Sequence, residues 1–317
     1  MNFQPLVSII IPVYNGSNFV KEAIDSALNQ TYKNIEIIVV NDGSCDDGAT
    51  EQIVLSYGDK IRYIHKENGG VSSALNVGIK NMRGEYFSWL SHDDLYTPYK
   101  VEKEVEALNE YGVSDAVVCC LADQVDKNSN CIQKAKKNKH LKVGVNKWYE
   151  ALNVMLRYGS YNGCALLIPK IAFEKAGFFD EELRYCQDAK MWALIFLSRF
   201  DLIYIEECCC SNRIHGGQLT QTGRELFHSD SEKIAEILAP LIADTNEHAK
   251  ALMFSYAYHN AVLDNKGVVK KCYEASKKDK LIGFFKKIKI FFAGIYGKIR
   301  PFIRKIYYRL FKKVKTK

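Results

Sequence analysis

The stretch that decides the fold is Val7 to Gly16, VSIIIPVYNG, read together with Ile35 to Ser44, IEIIVVNDGS. Each is a β-branched run too continuously apolar for a strand with one wet face. Each therefore reads as a strand buried on both sides, ended by an Asn-Gly or Asp-Gly turn. Between them, Asn18 to Gln30 places Val20, Ile24, Ala27 and Leu28 at helical spacing. Onward, residues 46–57 suit a helix, Ile61 to Ile64 a short strand, Val71 to Met82 a helix and Tyr86 to Leu90 a fourth strand. Strands alternating with helix-length connections build a mixed, mostly parallel sheet covered on both faces, so the class is α/β and Rossmann-like. A helix at Tyr99–Tyr111 and a strand at Ala116–Leu121 continue the pattern, and the polar stretch from Asp126 to Lys142 reads as a surface excursion. Helical periodicity returns at 147–158, 170–176 and 188–199, and residues 231–264 read as a mostly helical extension.

A chain of 317 residues, 47% apolar and 26% charged, can bury a large core, which sets global disorder aside. The net charge of +7 is unevenly placed. From Lys280 to Lys317 there are thirteen Lys or Arg and no acid, so the first 279 residues carry a net −6. Charge confined to one end points to a docking element and away from a nucleic-acid-binding body. The ten cysteines include the runs Cys119-Cys120 and Cys208-Cys209-Cys210, which suit neither mutual disulfides nor a metal knuckle and read as reduced thiols. The N-terminus lacks the pattern of a signal peptide, and no window reaches the roughly 18–20 apolar residues of a membrane span. The expected location is cytoplasmic.

In open α/β sheets, ligands bind beyond the carboxyl ends of the strands. Here those ends are Pro12-Val13-Tyr14-Asn15-Gly16, Asn41-Asp42-Gly43-Ser44, Glu67-Asn68-Gly69-Gly70 and Ser91-His92-Asp93-Asp94. Asp42 beside a glycine is either a turn residue or a carboxylate that accepts from a base or ribose. Gly69-Gly70 is either a loop before a helix cap or a helix N-terminus whose amides face phosphate oxygens. Asp93-Asp94 is either an acidic pair capping the next helix or an oxygen site for Mg²⁺ or Mn²⁺ shared with substrate phosphates. His92 reads as a spacer or hydrogen-bond donor, because hard cations prefer oxygen.

VSIIIPVYNG, VVNDGS, ENGGVSSALNVGI and WLSHDD, in that order and spacing, resemble the family 2 glycosyltransferases of the GT-A fold over roughly residues 6–220. The resemblance implies an enzyme of bacterial surface-polysaccharide biosynthesis. It would move a sugar from a nucleotide-diphosphate donor, a UDP-sugar, to a saccharide or lipid-linked acceptor, with inversion and a divalent cation (Mn²⁺ or Mg²⁺). The donor would lie against Pro12, Tyr14, Asn15, Asp42, Asn68, Gly70, Asn76, Ser91, His92 and Asp93, with Asp42 at the uracil or ribose. Asp93 would be the preferred metal ligand, with Asp94 as the second choice. The chain departs from the family pattern at Ser91, where the acidic motif usually begins with Asp, and at Leu75, where many relatives carry Arg.

Gly163 to Pro169, Gly177 to Glu181, then Gln187-Asp188 and Met191-Trp192 look like the acceptor half of the same family. Asp188 would be the catalytic base and Gly163, Gln187 and Trp192 acceptor contacts, with Gln187 standing where the family has Glu. A base at a sugar hydroxyl contributes about 10²–10⁴-fold. Read without the family, Asp188 is a carboxylate favoured by a helix N-terminus. Arg213-Ile214-His215-Gly216-Gly217-Gln218 resembles the family's late loop, with Arg213 and His215 at the leaving diphosphate, and equally suits a polar surface loop. The processive signature Gln-x-x-Arg-Trp is absent, which implies one sugar per encounter.

From Leu281 to Ile295, Leu281, Phe284, Phe285, Ile288, Phe291, Phe292 and Ile295 share one helical face among lysines. Ile299, Phe302, Ile303, Ile306, Leu310 and Val314 repeat it. Such faces describe a helix in an anionic lipid interface, peripheral on the inner face of the cell membrane; packing on the body is the alternative. The expected organisation is a catalytic domain over 1–225 (nucleotide-sugar half to about 121, acceptor half 122–225), a helical extension over 226–279 and a membrane segment over 280–317. A sugar-phosphate nucleotidyltransferase and a non-catalytic membrane or polysaccharide-binding module are the rival readings.

Overall fold

In a computed structural model of the chain, residues 3–218, 224–277 and 280–311 are described. They divide into two compact units, 1–151 with 160–227, and 152–159 with 228–317.

The first unit is built on one sheet. Its strands are β1 (Val7–Val13), β2 (Ile35–Asp42), β3 (Arg62–Lys66), β4 (Tyr86–Trp89), β5 (Leu95–Tyr96), β6 (Val117–Val125), β7 (Cys131–Gln133), β8 (Gly144–Asn146), β9 (Leu166–Pro169) and β10 (Leu202–Arg213). Their order is β3-β2-β1-β4-β9-β6-β10-β5, with β7 on β6 and β8 on β10. The long ladders β1–β2, β2–β3, β1–β4 and β6–β10 are parallel, while β9 runs antiparallel between β4 and β6. Every residue of β1 is buried, as its unbroken apolar run requires.

The helices α1 (Val20–Leu28), α2 (Ala49–Leu55), α3 (Val71–Asn81) and α4 (Lys100–Tyr111) connect the strands. They are followed by α5 (Trp148–Tyr158), α6 (Lys170–Ala176) and α7 (Gln187–Leu197). Because β2 and β3 lie on one side of β1 and β4 on the other, strand order reverses at β1. Such a reversal is where open α/β sheets form a crevice beyond the carboxyl ends of their strands.

The excursion over 126–142 carries β7, paired back onto β6. The cysteine run lies inside β10, where the register against β6 shifts on either side of Cys208. All ten cysteines are free thiols.

The second unit contains α8 (Arg224–Ala243), α9 (Ala249–Val262), α10 (Lys266–Ala275) and α11 (Phe284–Phe311). Among the described residues no helix is long and apolar enough to cross a membrane. The side chains of Phe284, Phe285, Phe302, Ile303, Ile306 and Leu310, and all of Val314, lie outside the described residues.

Candidate active site

A cleft of about 1290 Å³ opens over the carboxyl ends of β1, β2 and β4. It is lined by Pro12, Tyr14, Asn15, Asp42, Asn68, Gly70, Ser91, His92, Asp93 and Asp94 from the first 121 residues, and by Gly163, Gln187, Asp188, Arg213 and His215 from those that follow. Segments far apart in sequence thus meet on one surface.

The loop after β1 is pinned to the loop after β2. Asn15, with φ of 47°, accepts from the Cys45 amide at 2.8 Å through Oδ1 and donates its own amide to Ser44 Oγ at 3.0 Å. A side chain at Gly16 would meet the His92 ring at 2.6 Å, so this glycine lets the first and fourth strand-end loops touch. Burial pushes His92 below its ordinary range.

Asp42 is buried, and its carboxylate accepts from the Gly69 amide at 3.0 Å, the Gly70 amide at 2.7 Å and Lys66 Nζ at 2.6 Å. Of the two readings of Gly69-Gly70, the amides are not turned to phosphate: they hold Asp42. Lys66, unnoticed in the sequence, balances its charge. Gly70 has φ of 88°, and the Arg184 guanidinium lies 2.7 Å from where its Cβ would stand.

The two acids of the fourth motif have different surroundings. Asp94 is buried and accepts from the Arg213 amide at 2.9 Å, Asn212 Nδ2 at 3.2 Å and Cys164 Sγ at 3.2 Å. Burial, reinforced by the charge of Asp93, pushes its carboxyl up to about 7. Asp93 opens on the cleft, with Oδ2 3.0 Å from His215 Nε2 and 3.2 Å from Gln218 Nε2. Burial works to raise Asp93, but His92 and the bonds from His215 and Gln218 prevail and hold it below the usual carboxylate range. His215 in turn leans on the Phe19 ring, 5.0 Å between centroids.

Arg213 is not available to a diphosphate. It is 0% exposed, and its guanidinium donates to the Asp93 carbonyl at 2.8 Å, the Lys127 carbonyl at 3.0 Å, Ser129 Oγ at 3.0 Å and Glu22 at 2.8 Å, with Phe19 beneath it at 4.5 Å. It is a strut that fixes the acidic loop to the end of β10, which corrects its expected role at the donor.

Two further expected contacts lie off the cleft. Asn76 is buried and staples the segment after α6, donating to the Phe179 carbonyl at 2.9 Å and Glu181 at 2.8 Å while accepting from the Phe179 amide at 2.9 Å. Trp192 is buried edge-on against Phe179, at 5.6 Å.

Across the cleft, Asp188 sits in the first turn of α7 and accepts from the Ala189 amide at 2.7 Å. Desolvation by the surrounding protein dominates that bond and raises its carboxyl to about 6. Such a group is ionised at neutral pH yet basic enough to take a proton. Gly163 lies against Trp89, whose ring would stand 2.4 Å from a Cβ there, so this side of the cleft closes only over a glycine.

The chain is similar to known proteins along most of its length. The family described as "Glycosyl transferase family 2" matches residues 8–163. An uncharacterized glycosyltransferase of Rickettsia prowazekii is 44% identical over 290 residues, covering 89% of this chain and 88% of the relative. Among solved structures, S. aureus TarS 1-349 in complex with UDP-GlcNAc superposes with a TM-score of 0.68 at 16% identity, covering 94% of this chain and 91% of that one. The mannosyltransferase PcManGT from Pyrobaculum calidifontis, in complex with GDP-Man and Mn²⁺, gives 0.54 at 16% identity over 89% and 77% of the two chains. At such identities the structures show the shared fold, while the sequence matches carry the kinship: the chain belongs to the family 2 glycosyltransferases.

Proposed function

We propose that the protein transfers a sugar from a nucleoside-diphosphate sugar, of the UDP class, to a hydroxyl of a saccharide or lipid-linked acceptor, with inversion and one sugar at a time. The observation that carries this is that Asp93, in the loop after β4, and Asp188, in the first turn of α7, line one cleft. The loops after β1, β2 and β4 form the donor side, with Tyr14 and Asn15 at its rim and Asp42 beneath. That UDP-GlcNAc and GDP-Man occur in complexes of similarly folded enzymes supports the same chemical class here.

In the proposed reaction Asp188 accepts the proton of the acceptor hydroxyl as its oxygen bonds to the anomeric carbon. The bond from that carbon to the diphosphate breaks on the opposite side, and the nucleoside diphosphate departs with the electron pair. Asp188 is anchored at a helix N-terminus, which limits the reorganisation this requires.

The family implies a divalent cation, Mn²⁺ or Mg²⁺. Among the described residues no three His, Cys, Asp or Glu side chains cluster as a ligand set. The donors present fit a hard cation that takes few protein ligands and completes its shell with phosphate and water. Asp93, low in pKa and open to the cleft, would hold it, with His215 adjacent; Asp94 is already engaged by Arg213, Asn212 and Cys164. When bound, such a cation offsets the charge of the leaving diphosphate. The basic segment from Lys280 would keep the enzyme at an anionic membrane surface, where lipid-linked acceptors reside.

The test is incubation with a panel of UDP- and dTDP-sugars and Mn²⁺, reading released nucleoside diphosphate. Release that depends on Mn²⁺ and disappears in Asp93→Ala is the expected result. Pyrophosphate released from UTP and a sugar phosphate would mark a nucleotidyltransferase instead. No release, together with donor binding indifferent to Asp93→Ala, would mark a non-catalytic module.

A further inference from the structure

In the helical unit, α11 presents two opposed faces. One is docked: Ile290 and Ala293 are buried, and Lys286 Nζ donates to the Lys250 carbonyl on α9 at 3.0 Å. A Cβ at Gly297 would stand 2.2 Å from the Val262 carbonyl oxygen, so this glycine lets α11 lie directly on the end of α9. The other face is Ile288, Phe291, Phe292, Ile295 and Ile299, recurring at three- and four-residue intervals. All are exposed, Phe291 by 65% and Phe292 by 61%, on the side of the helix away from Ile290, Ala293 and Gly297. An apolar stripe with two aromatic rings held in water serves no purpose inside this unit.

The charge at its margins identifies what covers it. Helical spacing places Lys287 and Lys298 along one edge of the stripe and Lys289 and Arg300 along the other, and all four are exposed. No acidic residue occurs from Lys280 onward. A second copy of the chain, packed two-fold on this face, would set like charges against each other. A surface that is apolar within and anionic at its headgroups satisfies both features at once.

We propose that this face of α11 is a preformed membrane-seating surface. Phe291, Phe292, Ile295 and Ile299 enter the acyl boundary of an anionic leaflet, Lys287, Lys289, Lys298 and Arg300 meet its headgroups, and the helix stays docked on α9 throughout. The inference rests on the membrane reading above and is independent of sugar transfer. It goes further in naming the inserting residues and in requiring no folding or detachment of the helix on binding.

The experiment is sedimentation of the full chain with vesicles of phosphatidylcholine alone and with roughly one third phosphatidylglycerol. Far-UV circular dichroism is read with and without vesicles. The chain is expected to sediment with the anionic vesicles and to show little change in helicity when they are added. F291S/F292S, both on the exposed face, is expected to lower the partition coefficient roughly tenfold or more. K289E/K298E should lose binding to the anionic vesicles at unchanged thermal midpoint. Binding of F291S/F292S within about twofold of the parent would overturn the proposal. So would equal binding to both vesicle types, or a large rise in helicity on binding. A parent dimer that F291S/F292S dissociates, with vesicle binding untouched, would reassign the face to self-association. UDP binding, measured in the same samples, reports separately on the donor site: its absence would count against sugar transfer and leave the vesicle result standing.

Discussion

Replacing Asp188 with Asn separates catalysis from stability. The Asp188 carboxyl, about 6 in the folded protein against 3.8 for a free one, is raised by roughly 2 pH units. A raised acid binds its proton more tightly when folded, so below pH 3.8 it costs nothing. Between 3.8 and 6 the unfolded chain ionises first, and above 6 the full cost of about 3 kcal/mol is present. The amide introduced by Asp188→Asn keeps an oxygen that can accept from the Ala189 amide and carries no charge. The variant is therefore expected to be more stable than the parent by up to about 3 kcal/mol at pH 8, shrinking to about half of that at pH 5. Cleft water around the partly exposed side chain trims the gain. Urea titrations at the two pH values measure it, and a thermal scan should show a rise of roughly 2–4 °C per kcal/mol. Transfer by the same variant should fall about 10²–10⁴-fold. The parent rate should climb with pH through about 6 and then level. A variant no more stable than the parent at pH 8, or one gaining equally at pH 5, would refute the burial argument. A variant that keeps its rate would refute the role as base.

Asp93→Asn should abolish the Mn²⁺ dependence of UDP binding, measured by calorimetry, because it removes the carboxylate that faces the cleft. Asp94→Ala leaves the Arg213 amide and Asn212 unpaired, and chemical denaturation at pH 4, where the folded protein holds this carboxyl protonated and its burial carries little charge penalty, should show a loss of about 1–3 kcal/mol. Arg213→Met leaves three backbone carbonyls without their donor while the half-exposed Glu22 turns to water, and should cost roughly 1–3 kcal/mol in a urea titration. Gly163→Ala drives a methyl into the Trp89 ring and should destabilise by about 1–3 kcal/mol, visible as a lowered thermal midpoint.

What the sequence made legible follows from what residue types encode. β1 and β2 declared themselves because a strand covered on both faces admits little but β-branched and aliphatic side chains. The loops after them declared the site because strand ends facing a crevice are the places where small and acidic residues escape the demands of the core. β5 and β8, of two and three residues, left no such mark, since their pairing to β10 is decided by backbone groups every residue possesses. The bulge inside β10 was hidden for the same reason, because an apolar run looks alike whether or not its register slips at Cys208.

The side-chain roles that went astray share one cause. Arg213 and Asn76 enter through the family resemblance and the Gly69-Gly70 amides as one of two readings of a helix N-terminus, and all of them can donate hydrogen bonds. In the fold that capacity is spent on Asp93 and Glu22, on Phe179 and Glu181, and on Asp42, partners up to 191 residues distant for Arg213. A polar group beside a site is built into the protein or offered to the ligand according to whether the chain itself satisfies it. Burial makes internal satisfaction obligatory. Asp93 and Asp94 show the distinction within one dipeptide. Asp94, sunk against Cys164 and the Arg213 amide, maintains the loop, whereas Asp93, one residue earlier, opens on the cleft and bonds through its side chain to His215 and Gln218. The pair is identical in sequence and divided by depth, so the acid that can exchange its partners for a substrate is the shallower one.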